Sequence, residues 1–521
     1  MAASNSSLAQ MIQDSYPSGD RVITLGAGMV ADSANATLPI CLPLSTMNRH
    51  GLIAGATGTG KTKSLQVIVE ELSKRGIPSL VMDIKGDLSG LAAPGESSSG
   101  IQSRAKQTGI SFEPASCPVE LLSLTGKQGL RMRSTVAEFG PLLMARVLGL
   151  NDTQEGILSV IFRYCDERSL LLLDTKDLKK VLTFAADEGR AEIEAEYGAI
   201  PKASVTTILR KVVALEKEGA DELFGEVSFE IQDLMRKDGQ GRGVVSILRL
   251  DDIQDRPRLF STFMLQLLAE TYEKLPELGD PEQPELVLFI DEAHLIFKEA
   301  SRALLEQIET VVKLIRSRGV GLFFCTQSPD DVPAAVLAQL GLKVQHALRA
   351  FTAKDRKAIK SASENFPVSE HYELAELMTA MGIGEALVTG LDRKGRPTPV
   401  VRTMMRAPNS RMGVLKPAEI QAVINASELK EKYDRSVDRE SAYEILTARV
   451  ERAQTEEEPA RGRKKQASRA AKEEPSMVES VMESKVAREV GRTVARELTR
   501  GLLGVLGIST TTRRRRRSSW F

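Results

Sequence analysis

The stretch Gly51-Leu-Ile-Ala-Gly-Ala-Thr-Gly-Thr-Gly-Lys-Thr62 decides the fold. Within it, Gly55-x4-Gly60-Lys61-Thr62 is a complete phosphate-binding loop. Over Gly55, Ala56, Thr57, Gly58, Thr59 and Gly60 the glycines let successive backbone N–H groups turn inward around a triphosphate. Lys61 is placed to reach its β- and γ-phosphates, and the Thr62 hydroxyl to ligate Mg²⁺. The flanks agree with this reading. Gly51-Leu-Ile-Ala54 is a short apolar strand, and Ser64 to Lys74 carries Leu65, Ile68, Val69 and Leu72 at helical spacing. A helix starting there points its positive end at the same phosphates. A chance glycine-rich turn would lack both the strand and the helix.

Outward from the loop, strands alternate with helices, which predicts a parallel sheet with crossover helices. The strands are Pro78-Ser-Leu-Val-Met-Asp83, Val244-Val-Ser-Ile-Leu248, Glu285-Leu-Val-Leu-Phe-Ile290 and Val320-Gly-Leu-Phe-Phe-Cys-Thr326. Helices are expected over Arg258 to Tyr272 and Ala303 to Ser317. The apolar strand ending Ile290-Asp291-Glu292 supplies the second half of a site. In phosphate-loop enzymes the first acid of such a strand holds Mg²⁺ through water, and an adjacent glutamate polarises the attacking water. Asp291 is expected in the first role and Glu292 in the second, with ATP and Mg²⁺ as the cofactors. Gln327, at the tip of the next strand, lies where open α/β sheets bind ligands, placed to sense the γ-phosphate or orient water. Asp83 or Asp87 is a further candidate for the Mg²⁺ and water network. Against these stand plain alternatives: strands ending in exposed acids, a capping residue and a surface turn. Hydrolysis of this class often uses an arginine from a neighbouring subunit. Arg316, Arg318 and Arg349 are the candidates, each weighed against a simple salt bridge.

The 521 residues are enough for several domains, and the formal net charge is zero. From Lys485 to Phe521, however, the chain carries ten Lys/Arg against two Glu, so one basic tail balances an acidic remainder. Cys41, Cys117, Cys165 and Cys325 are far apart and indicate neither a disulfide framework nor a zinc site. His50, His294, His346 and His371 are equally scattered, and read as hydrogen-bonded local residues rather than metal ligands. With no signal-like or membrane-length apolar stretch, the expected location is the cytoplasm.

The expected organisation is a small β-rich cap (1–45), a first core part (46–124), a helical insertion (125–242) and a second core part (243–405). C-terminal helices (406–453), a disordered charged linker (454–476) and a basic amphipathic tail (477–521) follow. Helices are expected in the insertion over Glu138 to Leu150, Gln154 to Arg168, Lys176 to Ala186 and Ser204 to Glu218. In the tail, Val486, Val490, Val494, Leu498 and Leu502 lie opposite Arg488, Arg492, Arg496 and Arg500 on one helix, followed by the run Arg513 to Arg517. The tail suits an anionic membrane, nucleic-acid phosphates, or packing against the ring or another subunit's tail.

The chain resembles the HerA/FtsK branch of phosphate-loop ATPases, and most closely the bacterial YjgR-type, HerA-like helicase-domain proteins. The resemblance is carried by Asn48-Arg-His-Gly-Leu-Ile…Gly-Lys-Thr62, Asp83-Ile-Lys-Gly-Asp-Leu-Ser-Gly90, Phe289-Ile-Asp-Glu-Ala-His-Leu295, Arg316-Ser-Arg-Gly-Val-Gly321 and Thr326-Gln-Ser-Pro-Asp-Asp-Val-Pro333. It implies an α/β, RecA-like core with a mostly parallel sheet, a ring (a homohexamer) and ATP-driven movement of double-stranded DNA. It places the branch's polar residue at Gln327 and its arginine finger at Arg316 or Arg349. The long insertion between Lys61 and Asp291 departs from the compact pattern, so movement on DNA rests on analogy. Two rivals are a nucleotide-gated ring scaffold for a protein or membrane partner and a small-molecule kinase. The kinase is disfavoured by the water-activating glutamate and the lack of an arginine-rich lid.

Overall fold

The structure, a computed structural model, describes residues 2–452 apart from 280, 299–301, 436 and 438, together with residue 455. The basic tail helix and the Arg513 to Arg517 run lie outside the described residues, as does all but residue 455 of the charged linker beyond 454. The chain falls into two compact units. One comprises residues 1–135 and 217–437, the other residues 136–216 and 438–521.

The first unit is built on one mixed sheet, twelve-stranded among the described residues. Its strands are β1 Val22–Val30, β2 Ser33–Pro43, β3 Gly51–Ala54, β4 Ser79–Asp83, β5 Val119–Ser123, β6 Leu130–Arg131, β7 Val245–Arg249, β8 Leu286–Ile290, β9 Val320–Thr326, β10 Leu342–His346, β11 Glu385–Thr389 and β12 Val401–Met405. Their spatial order is β2-β1-β12-β11-β10-β3-β9-β8-β4-β7-β5-β6. From β10 to β6 every neighbouring pair is parallel. From β10 to β2 every pair is antiparallel. The central parallel strands are largely apolar runs, as expected where both faces are covered. β3, β4, β7, β8 and β9 are buried along their whole length. β12 alternates between buried and half-buried positions, as expected of a strand with one covered face.

The N-terminal strands expected as a cap are joined through β12 to the core sheet. The strand β5, which sequence pattern did not mark, contains Glu120, an acid inside an otherwise apolar run. Its carboxylate is buried and paired with Arg236 Nη2 at 2.6 Å, a partner too distant in sequence to be anticipated. His50 joins β3 to β9: its Nδ1 accepts from Leu322 N at 3.1 Å, while its Nε2 donates to Val312 O at 2.8 Å. Burial pushes this imidazole down to about 4. It is therefore neutral, as its acceptor role requires.

The second unit contains the helices Val136–Val147, Asp152–Glu167, Thr175–Ala186, Arg190–Tyr197 and Lys202–Glu216, close to the predicted helices apart from Arg190–Tyr197. The first is kinked at Gly140, where Pro141 removes a backbone donor. Asn151 and Asp174 close capping boxes on the second and third. A helical segment over residues 442–452 returns to this unit. Asp177 accepts from Tyr443 N at 2.9 Å, and Arg449 reaches Glu192 at 2.6 Å. The segment is thus fastened at both ends to the insertion. Among the described residues no helix is long and apolar enough to cross a membrane.

Phe289 on β8 and Phe323 on β9 stack 5.0 Å apart at the sheet centre, both fully buried. Replacing Phe323 with Ala should cost about 3–5 kcal/mol. A urea titration followed by far-UV circular dichroism is expected to show a clearly lowered midpoint. An unchanged midpoint would contradict the packing described.

Candidate nucleotide site

All the parallel strands near β3 end at one rim. Register places Ala54 opposite both Thr326 and Gln345, and Ile290 opposite Phe324. The residues immediately beyond these ends therefore converge: Gly55, Asp291, Gln327 and Ala347, with Asp83 as the last residue of β4. The phosphate loop is tied to its neighbours through its own backbone. Gly55 N donates to Thr326 O at 3.3 Å, Ala56 N to Ala347 O at 2.8 Å, and Gly384 N to Thr59 O at 2.9 Å.

The glycine spacing has a visible cause. Gly55 has φ +152°, and a Cβ there would lie 2.5 Å from His346 Cβ. Gly58 has φ +78° with open space around it, so its requirement is conformational rather than steric. His346, at the end of β10, is a fully buried wedge beneath the loop. Its Nδ1 donates to Glu385 O at 2.9 Å, so Nε2 accepts the Ser64 hydroxyl at 2.9 Å. Burial pushes it down to about 4 and keeps it neutral. It connects the first turn of the helix Lys61–Lys74 to β11.

Lys61 donates from Nζ to Gly55 O at 2.6 Å and Ala56 O at 3.2 Å, which holds the ammonium across the mouth of the loop. Burial lowers its pKa, and Glu292 and Asp291 oppose that shift. Thr62 is half-buried at the start of the helix, and Thr57 and Gly58 are exposed at the loop tip.

β8 delivers the two acids. Asp291 N donates to Met82 O at 3.3 Å and Ala293 N to Cys325 O at 2.9 Å, so the turn after β8 is fixed between β4 and β9. Burial, then the neighbouring Glu292, push the Asp291 carboxyl up to about 7. Its Oδ2 is buried with no hydrogen-bond partner. An unsatisfied buried carboxylate oxygen beside a phosphate loop fits a divalent cation. The residues present suit Mg²⁺ held by the Thr62 hydroxyl, Asp291 and phosphate oxygens, since this ion takes few protein ligands. Glu292 has φ +47°, a left-handed backbone that side-chain-bearing residues seldom adopt. Its Oε1 is ion-paired with Lys85 Nζ, and its Oε2 is 3.3 Å from His294 Nδ1.

The remaining candidates separate. Gln327 is exposed at the tip of β9, next to the residue whose carbonyl accepts from Gly55. Asp83 is fully buried, and its oxygens are taken by Gly86 N at 2.8 Å, Asp87 N at 3.2 Å and Leu88 N at 3.0 Å. Burial nonetheless raises it to about 6. Asp83 thus shapes the turn that carries Lys85. Arg349 is exposed two residues beyond Ala347, on the rim of the phosphate loop. Arg316 lies in the 3₁₀ turn Ile315–Arg318 before β9, at the opposite rim, and lines a cavity with His50, Lys313 and Lys343. Arg318 stacks on Tyr272 and donates to Leu275 O at 2.7 Å. The length of β9 separates Arg316 from the site by on the order of 20 Å.

The model of the family described as Helicase HerA-like C-terminal matches residues 29–514. The chain belongs to this HerA-like family. One HerA-like relative is the DNA double-strand break repair helicase HerA of Saccharolobus solfataricus, 22% identical over 352 residues, 67% of this chain and 63% of the relative. The chain therefore spans somewhat less than two thirds of that relative's length. A probable helicase of Methanocaldococcus jannaschii, MJECL08, is 31% identical over 156 residues, 28% of each chain. Among solved structures, the bacterial conjugative coupling protein TrwBdeltaN70 superposes with a TM-score of 0.51 at 15% identity, covering 78% of this chain and 94% of that one. The plasmid coupling protein TrwB in complex with ADP and Mg²⁺ gives 0.51 at 17% identity with the same coverage. The HerA-like chain thus shares the α/β fold of these coupling proteins, with its mostly parallel sheet.

Lys85 and His346 took no part in the sequence-derived site. Lys85 stands in the quoted Asp83-Ile-Lys-Gly-Asp87 turn, which was the one available signal. The glycine geometry makes a graded prediction. Gly55→Ala adds a clash to backbone strain and should weaken ATP binding about tenfold or more. Gly58→Ala adds strain alone and should weaken it less. Fluorescent-nucleotide titrations of both variants check the order.

Proposed function

We propose that this chain is a Mg²⁺-dependent ATPase whose copies form a ring, a homohexamer, that drives double-stranded DNA through its centre in the cytoplasm. The observation that carries the reading is the convergence of the phosphate loop with Asp291 and Glu292 at one sheet rim, in a chain of the HerA-like family. Loop N–H groups and Lys61 hold the phosphates of ATP. Thr62 and Asp291 would hold Mg²⁺, which would neutralise charge developing on the phosphoryl oxygens. Glu292 takes the proton from the water whose oxygen bonds to the γ-phosphorus as the bond to ADP breaks. Gln327, exposed beside Gly55, orients that water. The DNA substrate is supported by the HerA relative, a DNA double-strand break repair helicase. The basic tail remains a candidate contact for a membrane surface or protein partner.

For the arginine, the two rims give a division of labour. Arg349 shares a rim with its own loop and can serve the site of its own chain. Arg316, at the far rim, can reach only a neighbour's site, and we assign it the role of finger.

Lys61→Ala should abolish hydrolysis and weaken nucleotide binding. Glu292→Gln should still bind ATP but turn it over at least about 10²-fold more slowly. Wild-type protein should be stimulated by duplex DNA in a steady-state assay. DNA-independent turnover would favour a nucleotide-gated scaffold, and transfer to an added acceptor a kinase.

The trans arginine is tested by mixing. Arg316→Ala protein has an intact loop and Glu292, and can borrow an arginine from a Glu292→Gln neighbour. Exchanging the two proteins should therefore restore part of the activity, starting from a deficit of about 10³-fold. Arg349→Ala should gain nothing from the same treatment. Recovery with Arg349→Ala instead would reverse the assignment, and recovery with neither would count against a ring site.

A further inference from the structure

Resting on the reading of Glu292 as the base, we propose that Lys85 is a positioning residue that parks Glu292 away from water until a phosphate oxyanion draws the lysine off. A general base needs a carboxylate oxygen free to face water, with hydrogen-bond reach to its proton. Here Oε1 is ion-paired with Lys85, and Oε2 is buried out of reach of solvent, 3.3 Å from His294 Nδ1 and without a hydrogen-bond partner. The Glu292 side chain is only 5% exposed, and its backbone is held at φ +47°. The base is therefore enclosed and strained, with one oxygen buried and the other engaged by the more exposed lysine.

The other member of the pair is built differently. The Lys85 side chain is 42% exposed. Its backbone is fixed, because Asp83 accepts from Gly86 N, Asp87 N and Leu88 N, and Gln254 Nε2 donates to Ile84 O at 2.6 Å. A fixed backbone with an exposed ammonium lets the lysine tip swing while its anchor stays still. Its surroundings favour such an exchange of partners: Asp291 and Asp87 attract it along with Glu292, and it lies near enough to Lys61 of the phosphate loop for the two charges to repel. A lysine ammonium is a compact cation that pairs readily with phosphate. The incoming oxyanion is a phosphate group, from the bound nucleotide or from a DNA backbone. When it takes Lys85, Oε1 is released to accept a proton.

The test is Lys85→Met, with Lys85→Gln as a second variant, assayed on full-length protein with and without duplex DNA. Both are expected to raise the DNA-free kcat by about fivefold, the worth of a partly exposed ion pair, with little change in KM for ATP. Lys85→Arg, which keeps a cation at this place, should fall between. If DNA supplies the oxyanion, DNA adds nothing further to the Met and Gln variants. If the nucleotide supplies it, the exchange is only partial at saturating ATP, so the variants still gain, and DNA stimulates them by the same factor as wild type. A kcat at or below wild type in both variants, with nucleotide affinity retained, would overturn the proposal and make Lys85 a simple support of the site. Glu292→Gln separates this from the parent reading. Wild-type turnover in that variant removes Glu292 as the base, whereas an inactive Glu292→Gln beside unaccelerated Lys85 variants removes only the parking role.

Discussion

The hydrogen bond from Ala56 N to Ala347 O ties the phosphate loop to the strand beside it. The loop leaves β3 with few side chains of its own to hold it. Its shape depends on neighbouring backbone: β9 accepts from Gly55 on one side, and the end of β10 accepts from Ala56 on the other. His346 then fills the space that the missing Gly55 side chain leaves and passes the restraint on through Ser64 and the Glu385 carbonyl. Because the imidazole is neutral, it fits beneath an anion-binding loop without placing a second buried cation beside Lys61.

Charge governs the rest of the rim. Asp83, Asp291 and Glu292 lie within buried strand ends, where unpaired carboxylates are costly. Each is managed differently. Asp83 accepts backbone N–H groups, Glu292 pairs one oxygen with Lys85 and buries the other without a partner, and Asp291 keeps an unpartnered oxygen that suits a metal ion. Three acids that look alike in the sequence therefore differ in what their oxygens meet, which is the basis for the separate roles proposed for them.

The parts of the fold and site that could be read in advance are those written in local spacing. Gly55, Gly60, Lys61 and Thr62 define a loop by themselves, and an apolar run ending in Asp291 and Glu292 defines the strand beside it. The parallel strands β3, β4, β7, β8 and β9 and most insertion helices follow from apolar periodicity. The features that escaped depend on partners remote in sequence. Lys85 acquires its significance from Glu292, His346 from Ser64 and Glu385, and Glu120 from Arg236. β11 and β12 are short, and take their place through pairing with β10 and β1. No periodicity indicates at which rim an arginine will stand, so that Arg316 and Arg349 lie at opposite rims became visible only once strand directions were known.

The order of strands also sets a schedule for biosynthesis. Ala54 pairs with Gln345, and β1, which pairs with β2 at once, meets its other neighbour only in β12. The phosphate loop is among the first parts of the chain to be made, yet both backbone acceptors that shape it, Thr326 and Ala347, come far later. At about 5–20 residues per second the intervening chain takes on the order of tens of seconds to synthesise. During that interval β3 has neither of its parallel neighbours, and its apolar face must be kept from other chains. The helical unit emerges in between, and its helices from 136 to 216 depend mainly on contacts close in sequence, the kind that form quickly. A nascent chain paused before β9 would thus carry a compact helical unit beside an unfinished sheet, a natural substrate for a chaperone.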